Sequence, residues 1–251
     1  MILPLLLAIQ TNDIGPLVTD QQRYSGCIQM AAENPIGAQS VAMHWRDAGG
    51  GFHALHCLAV AYANAEQWSD AAAAFGDAAD AAQNAQDRAA AGQFRAQAGN
   101  AWLLAGDPDK ARIALGAAVT AGVLQGDQLA NAHIDLARAE VALGDSATAR
   151  TDLDAAIKAA PNNALAWLLS ATLARRTGDM RRAQQDIAVA KTKAPQDPAV
   201  YLEAGNIAAR LSDEAEAKAA WNKVVALAPA SPQAASAKNA LAQFDGAPAG
   251  R

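Results

Sequence analysis

The chain has 251 residues, 52% of them hydrophobic but only 5% aromatic, and a formal net charge of −5. That acidic balance, with a pI near 5.3, argues against a nucleic-acid binder, which needs a basic stripe to displace counterions from phosphates. The apolar content is carried by alanine, the best helix former and one of the smallest side chains, so closely packed helices follow. Val, Ile and Thr form no run longer than two and no stretch alternates apolar with polar over a strand's length, which makes the fold class all-α.

The chain opens on Met1-Ile-Leu-Pro-Leu-Leu-Leu-Ala-Ile9, an apolar run as long as the core of a secretory signal and far short of the roughly 20 residues of a membrane-spanning helix. No Lys or Arg precedes it, and Leu6 and Ala8 make half a cleavage motif. Residues 1–18 therefore leave two readings open: the signal peptide of an exported, periplasmic protein, or a hydrophobic cap on the first helix of a cytoplasmic one. Residues 19–33 and 36–48 are expected as two helices, ended by Asn34-Pro35 and by Gly49-Gly50-Gly51, and form a divergent capping unit over 19–51.

From residue 52 onward an Ala-x-x-x-bulky-x-x-Ala block recurs: Ala71, Phe75, Ala78; Ala111, Leu115, Ala118; Ala149, Leu153, Ala156; Ala183, Ile187, Ala190; Ala217, Trp221, Val224. The first members stand 40, 38, 34 and 34 residues apart. Five residues ahead of three blocks lie Gly106, Gly144 and Gly178, each followed by an aspartate, Asp107, Asp145 and Asp179. Glycine there closes one helix in a left-handed conformation and the aspartate caps the next. Pro161, Pro195 and Pro229, again 34 apart, end each unit. Residues 231–245 suit a C-terminal capping helix starting at Pro232, with Ala235, Leu241 and Phe244 inward and Lys238 outward, and 246–251 read as a disordered tail.

This period and these positions resemble the tetratricopeptide repeat (TPR). Its first-helix signature is kept in part by Leu58, Ala59 and Tyr62, by Gly99 and Trp102, by Leu136 and Ala137, by Trp167 and Ala171, and by Tyr201 and Gly205. Glu140, Ala174 and Ala208 stand where the family has Tyr, and Ser212 where it has the turn glycine. The resemblance implies a right-handed α-solenoid of antiparallel helix pairs with helical caps at both ends, its five repeats covering 52–230 and starting near 52, 92, 130, 164 and 198. It also implies a scaffold for protein–protein or protein–peptide interaction.

In such an array helices one and three both touch helix two, so a disulfide between Cys27 and Cys57, the only two cysteines, is geometrically open. Two separate buried thiols are the alternative. His53 and Cys57 stand at i and i+4, with His44 and His56 nearby, but neither Cys-x-x-Cys nor His-Glu-x-x-His is present. No metal site and no cofactor are assigned, and a metal-binding envelope protein using Cys27, Cys57 and histidine stays a rival, as does a self-associating array.

The family's first helices line a concave surface. Projected onto this sequence, the groove-facing residues are His53, His56, Asn100, Arg138, Thr172, Arg175, Asn206 and Arg210, with Ile134, Leu168 and Leu202 between them. Some members hold a C-terminal carboxylate with a Lys and Asn clamp; here His56, Ala96, Ile134 and Leu168 stand where the lysine is expected. Arg175, Arg176, Arg181 and Arg182 are the nearest thing to a basic patch, read as a solvated helix pair beside Asp179 and Asp186 that could meet an acidic peptide. Asp152 and Asp154 read as solvated, with Asp154 near Lys158. No phosphate loop or nucleophile with its base is present, so the chain is not read as an enzyme.

Overall fold

The computed structural model describes residues 19–246. The apolar segment at 1–18 and tail residues 247–251 lie outside them. Thirteen α-helices make up the described part: α1 (Asp20–Glu33), α2 (Pro35–Asp47), α3 (Gly51–Asn64), α4 (Trp68–Asn84), α5 (Arg88–Leu104), α6 (Pro108–Thr120), α7 (Gly126–Ala142), α8 (Ser146–Ala159), α9 (Ala164–Thr177), α10 (Met180–Lys193), α11 (Pro198–Arg210), α12 (Glu214–Leu227) and α13 (Pro232–Gly246). Each packs on its neighbour in sequence, so the chain is an all-α helical-repeat solenoid.

Local chemistry sets the helix ends. Asp107, Asp145, Asp179 and Asp213 each accept the amide N–H three residues on, at 2.9 to 3.1 Å, and open α6, α8, α10 and α12. Asp87 does the same for α5. Such caps are worth about 1 kcal/mol each. The turns just before them are left-handed at Gly106, Gly144 and Gly178, with φ of 77°, 85° and 87°. Glu66, Gln86 and Ser212 take the same conformation without glycine. At the other end of the unit, Trp167 donates its indole N–H to the Pro161 carbonyl at 2.9 Å, and the Tyr201 hydroxyl reaches the Pro195 carbonyl at 3.2 Å.

The longer early repeats are absorbed within helices. α4, α5 and α7 have 17 residues against 14 in α8, α9, α10 and α12, close to one added turn. The first helices of the second and third pairs accordingly begin at Arg88 and Gly126, ahead of the expected repeat starts near 92 and 130.

Within a pair, small residues let the backbones approach. A β-carbon at Gly99 would overlap the Leu115 side chain, and one at Gly205 would overlap the Trp221 ring. The block alanines Ala71, Ala111, Ala149, Ala183 and Ala217 are all fully buried. First helices of successive pairs also touch each other, as α5 with α7, α7 with α9, and α9 with α11, more closely than second helices do. That asymmetry puts the first helices on the inside of the curve.

The capping pair α1–α2 is joined to the array by a disulfide between Cys27 and Cys57, both buried, with Cα atoms 6.1 Å apart. At the other end α13 buries Ala234 and Ala237 and half-buries Leu241, while Ala235 is exposed. The expected inward phase was therefore one residue off: 234, 237 and 241 keep the spacing of one helical face and 235 does not. The Phe244 side chain lies outside the described residues.

Two charged groups expected in solvent are engaged. Asp152 pairs with His133 at 2.9 Å, both side chains largely buried. Asp154 pairs with Arg182, not with Lys158. Arg182 also reaches Asp186 at 3.2 Å, and Asp186, only 5% exposed, accepts from Ser170, whose carbonyl is held by Arg150 at 2.8 Å. This network, in place of a solvated pair, ties α8, α9 and α10 together. Glu140, at the family's Tyr position, is also buried; burial pushes its carboxyl pKa up, and Arg112 lies 4.0 Å away.

Open space surrounds Gly144, so its substitution probes the backbone alone. Gly144→Val should destabilise the protein by about 1 kcal/mol or more, and Ser212→Gly should stabilise it by a smaller amount, because only glycine takes positive φ freely. Urea midpoints of both variants check this; an unchanged Gly144→Val midpoint would contradict the turn assignment.

Candidate binding groove

Four side chains of α5 reach the inner face along one helical stripe: Gln93, Gln97, Asn100 and Leu104, all exposed. Across from them α7 presents Gln128 and Asn131, also exposed. Between the two helices lies a cavity of about 420 Å³. Phe75, Ala96, Ala101, Leu124 and Ala132 give it an apolar floor, and the carboxamides form its walls. Leu104, 54% exposed, is an apolar side chain left open at its edge.

Below this surface, polar side chains cross-link successive first helices. Asn100 of α5 donates to Asp135 of α7 at 2.9 Å, and Arg138 holds the other oxygen of the same carboxylate at 2.9 Å. Two repeats on, Arg175 of α9 grips both oxygens of Glu203 of α11, at 2.6 and 3.2 Å. Asn206 lies 3.5 Å from Glu203 and accepts the Trp221 indole N–H at 3.3 Å. Asp135 and Glu203 are buried, and neither stood out in the sequence. The usable signal was their place three residues before Arg138 and Asn206, the spacing of neighbours on a helix.

The sequence-derived groove residues thus divide. Asn100, Arg138 and Arg210 are exposed on the inner first helices, and His53 and Thr172 are half-exposed, with the Thr172 hydroxyl bonded to the Leu168 carbonyl. Arg175 and Asn206 are half-buried and committed to Glu203. His56 does not face the groove: it is buried, stacked on Phe94 with ring centroids 4.5 Å apart. Ile134 and Leu168 are buried too: each stands one position, about 100° around the helix, before Asp135 and Leu169, the residues equivalent to Gln97 on the α5 stripe. Gln93, Gln97, Gln128 and Asn131 were missed; a carboxamide is featureless in sequence until its helix phase is fixed. The disulfide consumes both thiols, so neither offers a thiolate to a metal. Among the described residues no group of three His, Cys, Asp or Glu is placed to hold one, and no helix is long and apolar enough to cross a membrane.

The described geometry is similar to known solved structures. A family profile described as tetratricopeptide repeat matches residues 130–173. The chain aligns with pilF of Pseudomonas aeruginosa at TM-score 0.69 and 14% identity, covering 89% of this chain and 99% of that one. It aligns with PilW, described as a widely conserved type IV pilus biogenesis factor, at TM-score 0.66 and 15% identity, covering 86% and 98%. YrrB, described as a TPR protein with an unusual peptide-binding site, aligns at TM-score 0.56 and 18% identity, over 74% and 91%. No curated protein matches the sequence significantly.

His56 makes the groove's N-terminal end sensitive to pH. Its Nε2 lies 3.1 Å from Oε1 of the Gln97 side chain and donates to it, so in the neutral ring Nδ1 accepts from the Tyr24 hydroxyl at 2.7 Å. Burial, aided by nearby His53, lowers its pKa below the ordinary 6.5. The unfolded chain therefore takes up the proton first: this contribution to stability is complete above about pH 6.5 and declines as pH falls below it. Urea midpoints at pH 7.5 and 5.5 should show the decline, and His56→Gln should reduce it; an equal decline in the variant would assign it elsewhere.

Proposed function

We propose that the chain is a tetratricopeptide-repeat protein and an interaction scaffold of the cell envelope, which holds an extended peptide segment of a partner protein in the α5–α7 groove. The observation that carries this is the cavity walled by Gln93, Gln97, Gln128 and Asn131 over an apolar floor. A carboxamide carries both a donor and an acceptor, as a peptide unit does, so it can bond an extended backbone whatever its sequence, while the floor takes an apolar side chain. The peptide-binding description of YrrB, a structure of the same fold, agrees with this reading.

The side chains of Gln93 and Gln128 make no hydrogen bond to other described residues, so their truncation should leave the fold intact. For a peptide selected on the whole protein, Gln93→Ala with Gln128→Ala should weaken binding by about tenfold, as two lost hydrogen bonds do. Ile113→Ala, on the exposed face of α6, should change nothing. Fluorescence anisotropy reads both, and unchanged affinity in the double variant would remove the groove from the account.

Placement in the envelope is supported by three features. The chain begins with the apolar run at 1–9, its two cysteines are paired, as is common in oxidising compartments, and its fold matches the pilus factors along nearly their whole length. Peptide mapping without reduction, on protein trapped with a thiol-blocking reagent in its own cells, should yield Cys27 and Cys57 linked. Recovery of both as blocked thiols would argue for a reducing compartment.

A further inference from the structure

Beyond Asp135 the groove changes character. A second cavity of about 210 Å³ opens between α7 and α9, floored by Val141, Leu153, Leu169 and Leu173, with Arg138 and Arg176 at its rim. No acidic side chain lines it. Arg138 is 45% exposed and gives one N–H to Asp135, which leaves the rest of its donor fork facing outward. Arg176 is exposed and has no hydrogen-bond or ion-pair partner among the described residues. Arg210, at the equivalent place on α11 one repeat later, is exposed and likewise unpaired.

The charge of these arginines runs against the rest of a chain whose net charge is −5. Placement in the last turn of a helix favours a cation through the macrodipole, and this accounts for Arg176 and Arg210 standing where they do. It does not account for two guanidinium groups flanking an apolar cavity that lacks any carboxylate. A guanidinium offers a planar pair of donors to a carboxylate, and an apolar wall beside it reduces competition from water.

We infer that this second cavity receives an apolar side chain from an acidic segment of the partner, with carboxylates on either side of that side chain met by Arg138 and Arg176. The inference rests on the groove reading and adds to it the sign of the ligand's charge. The α5–α7 cavity, lined by carboxamides and by the Asp135 carboxylate that Asn100 and Arg138 hold, takes backbone; the α7–α9 cavity, with arginines and no carboxylate, selects sequence. The attraction lies at a solvent-exposed rim, so it weakens as salt is added.

The test uses the intact protein and a displayed library of peptides with one fixed Leu or Phe between randomised positions. Selection on the native protein should enrich Asp and Glu near the fixed residue. Selection on Arg138→Glu with Arg176→Glu should shift that enrichment to Lys and Arg, and the best acidic peptide should lose about tenfold in affinity for this variant. Because Arg138→Glu faces Asp135, Arg176→Gln alone, with circular dichroism checked, serves as the milder variant and should reduce acidic enrichment without reversing it. Peptides enriched without acidic bias, or with a bias that the arginine variants leave unmoved, would overturn this inference while leaving the groove standing. No enriched peptides at all would overturn both.

Discussion

At Gly99 the first helix of a pair lies so near the second that the Leu115 side chain occupies the place of a β-carbon, and at Gly205 the Trp221 ring does the same. Buried block alanines make the matching approach elsewhere. Helices this close expose little apolar surface to each other and leave the remainder on the flanks of the pair. One pair cannot bury that remainder alone, so pairs must stack. Because first helices lie nearer to one another than second helices do, the stack curves, and the curve produces the groove. The groove is in this sense a consequence of how small the contact residues are.

Curvature alone would leave the inner helices free to slide, and buried carboxylates oppose that. Asp135 joins α5 to α7 through Asn100, and Glu203 joins α9 to α11 through Arg175. A carboxylate taken out of water is costly unless it is paired and hydrogen-bonded, and each of these is. Glu140 shows the other case: its Oε2 has no hydrogen-bond partner among the described residues, and its carboxyl is correspondingly harder to ionise. At the N-terminal end the same linking task falls to neutral groups, the Tyr24–His56–Gln97 chain, beside the Cys27–Cys57 bond.

The repeating contacts were legible in the sequence because they are short-range rules of residue type. A turn glycine, an aspartate after it and a closing proline each act within a few residues, and Gly144, Asp145 and Pro161 stand in the turns they describe. What was hidden depended on angular phase. One position along a helix is about 100° around it; that step separates buried Ala234 from exposed Ala235, and it turns His56, Ile134 and Leu168 from the groove into the core. The carboxamide walls were hidden for a further reason: Gln and Asn carry no distinctive pattern, and only the meeting of α5 with α7 brings Gln93 and Gln128 to one cavity.

The central claim is that the inner face, and not the outer one, meets another polypeptide. Site-specific photocrosslinking tests it most directly, with a benzophenone side chain placed at Gln93 or Gln128 in the groove and at Ile113 on the exposed outer face of α6, in the protein's own cells. A discrete crosslinked polypeptide is expected from both groove positions, suppressed by a peptide selected on the groove, and none from Ile113. Equal crosslinking at all three positions, or crosslinking at Ile113 alone, would contradict it.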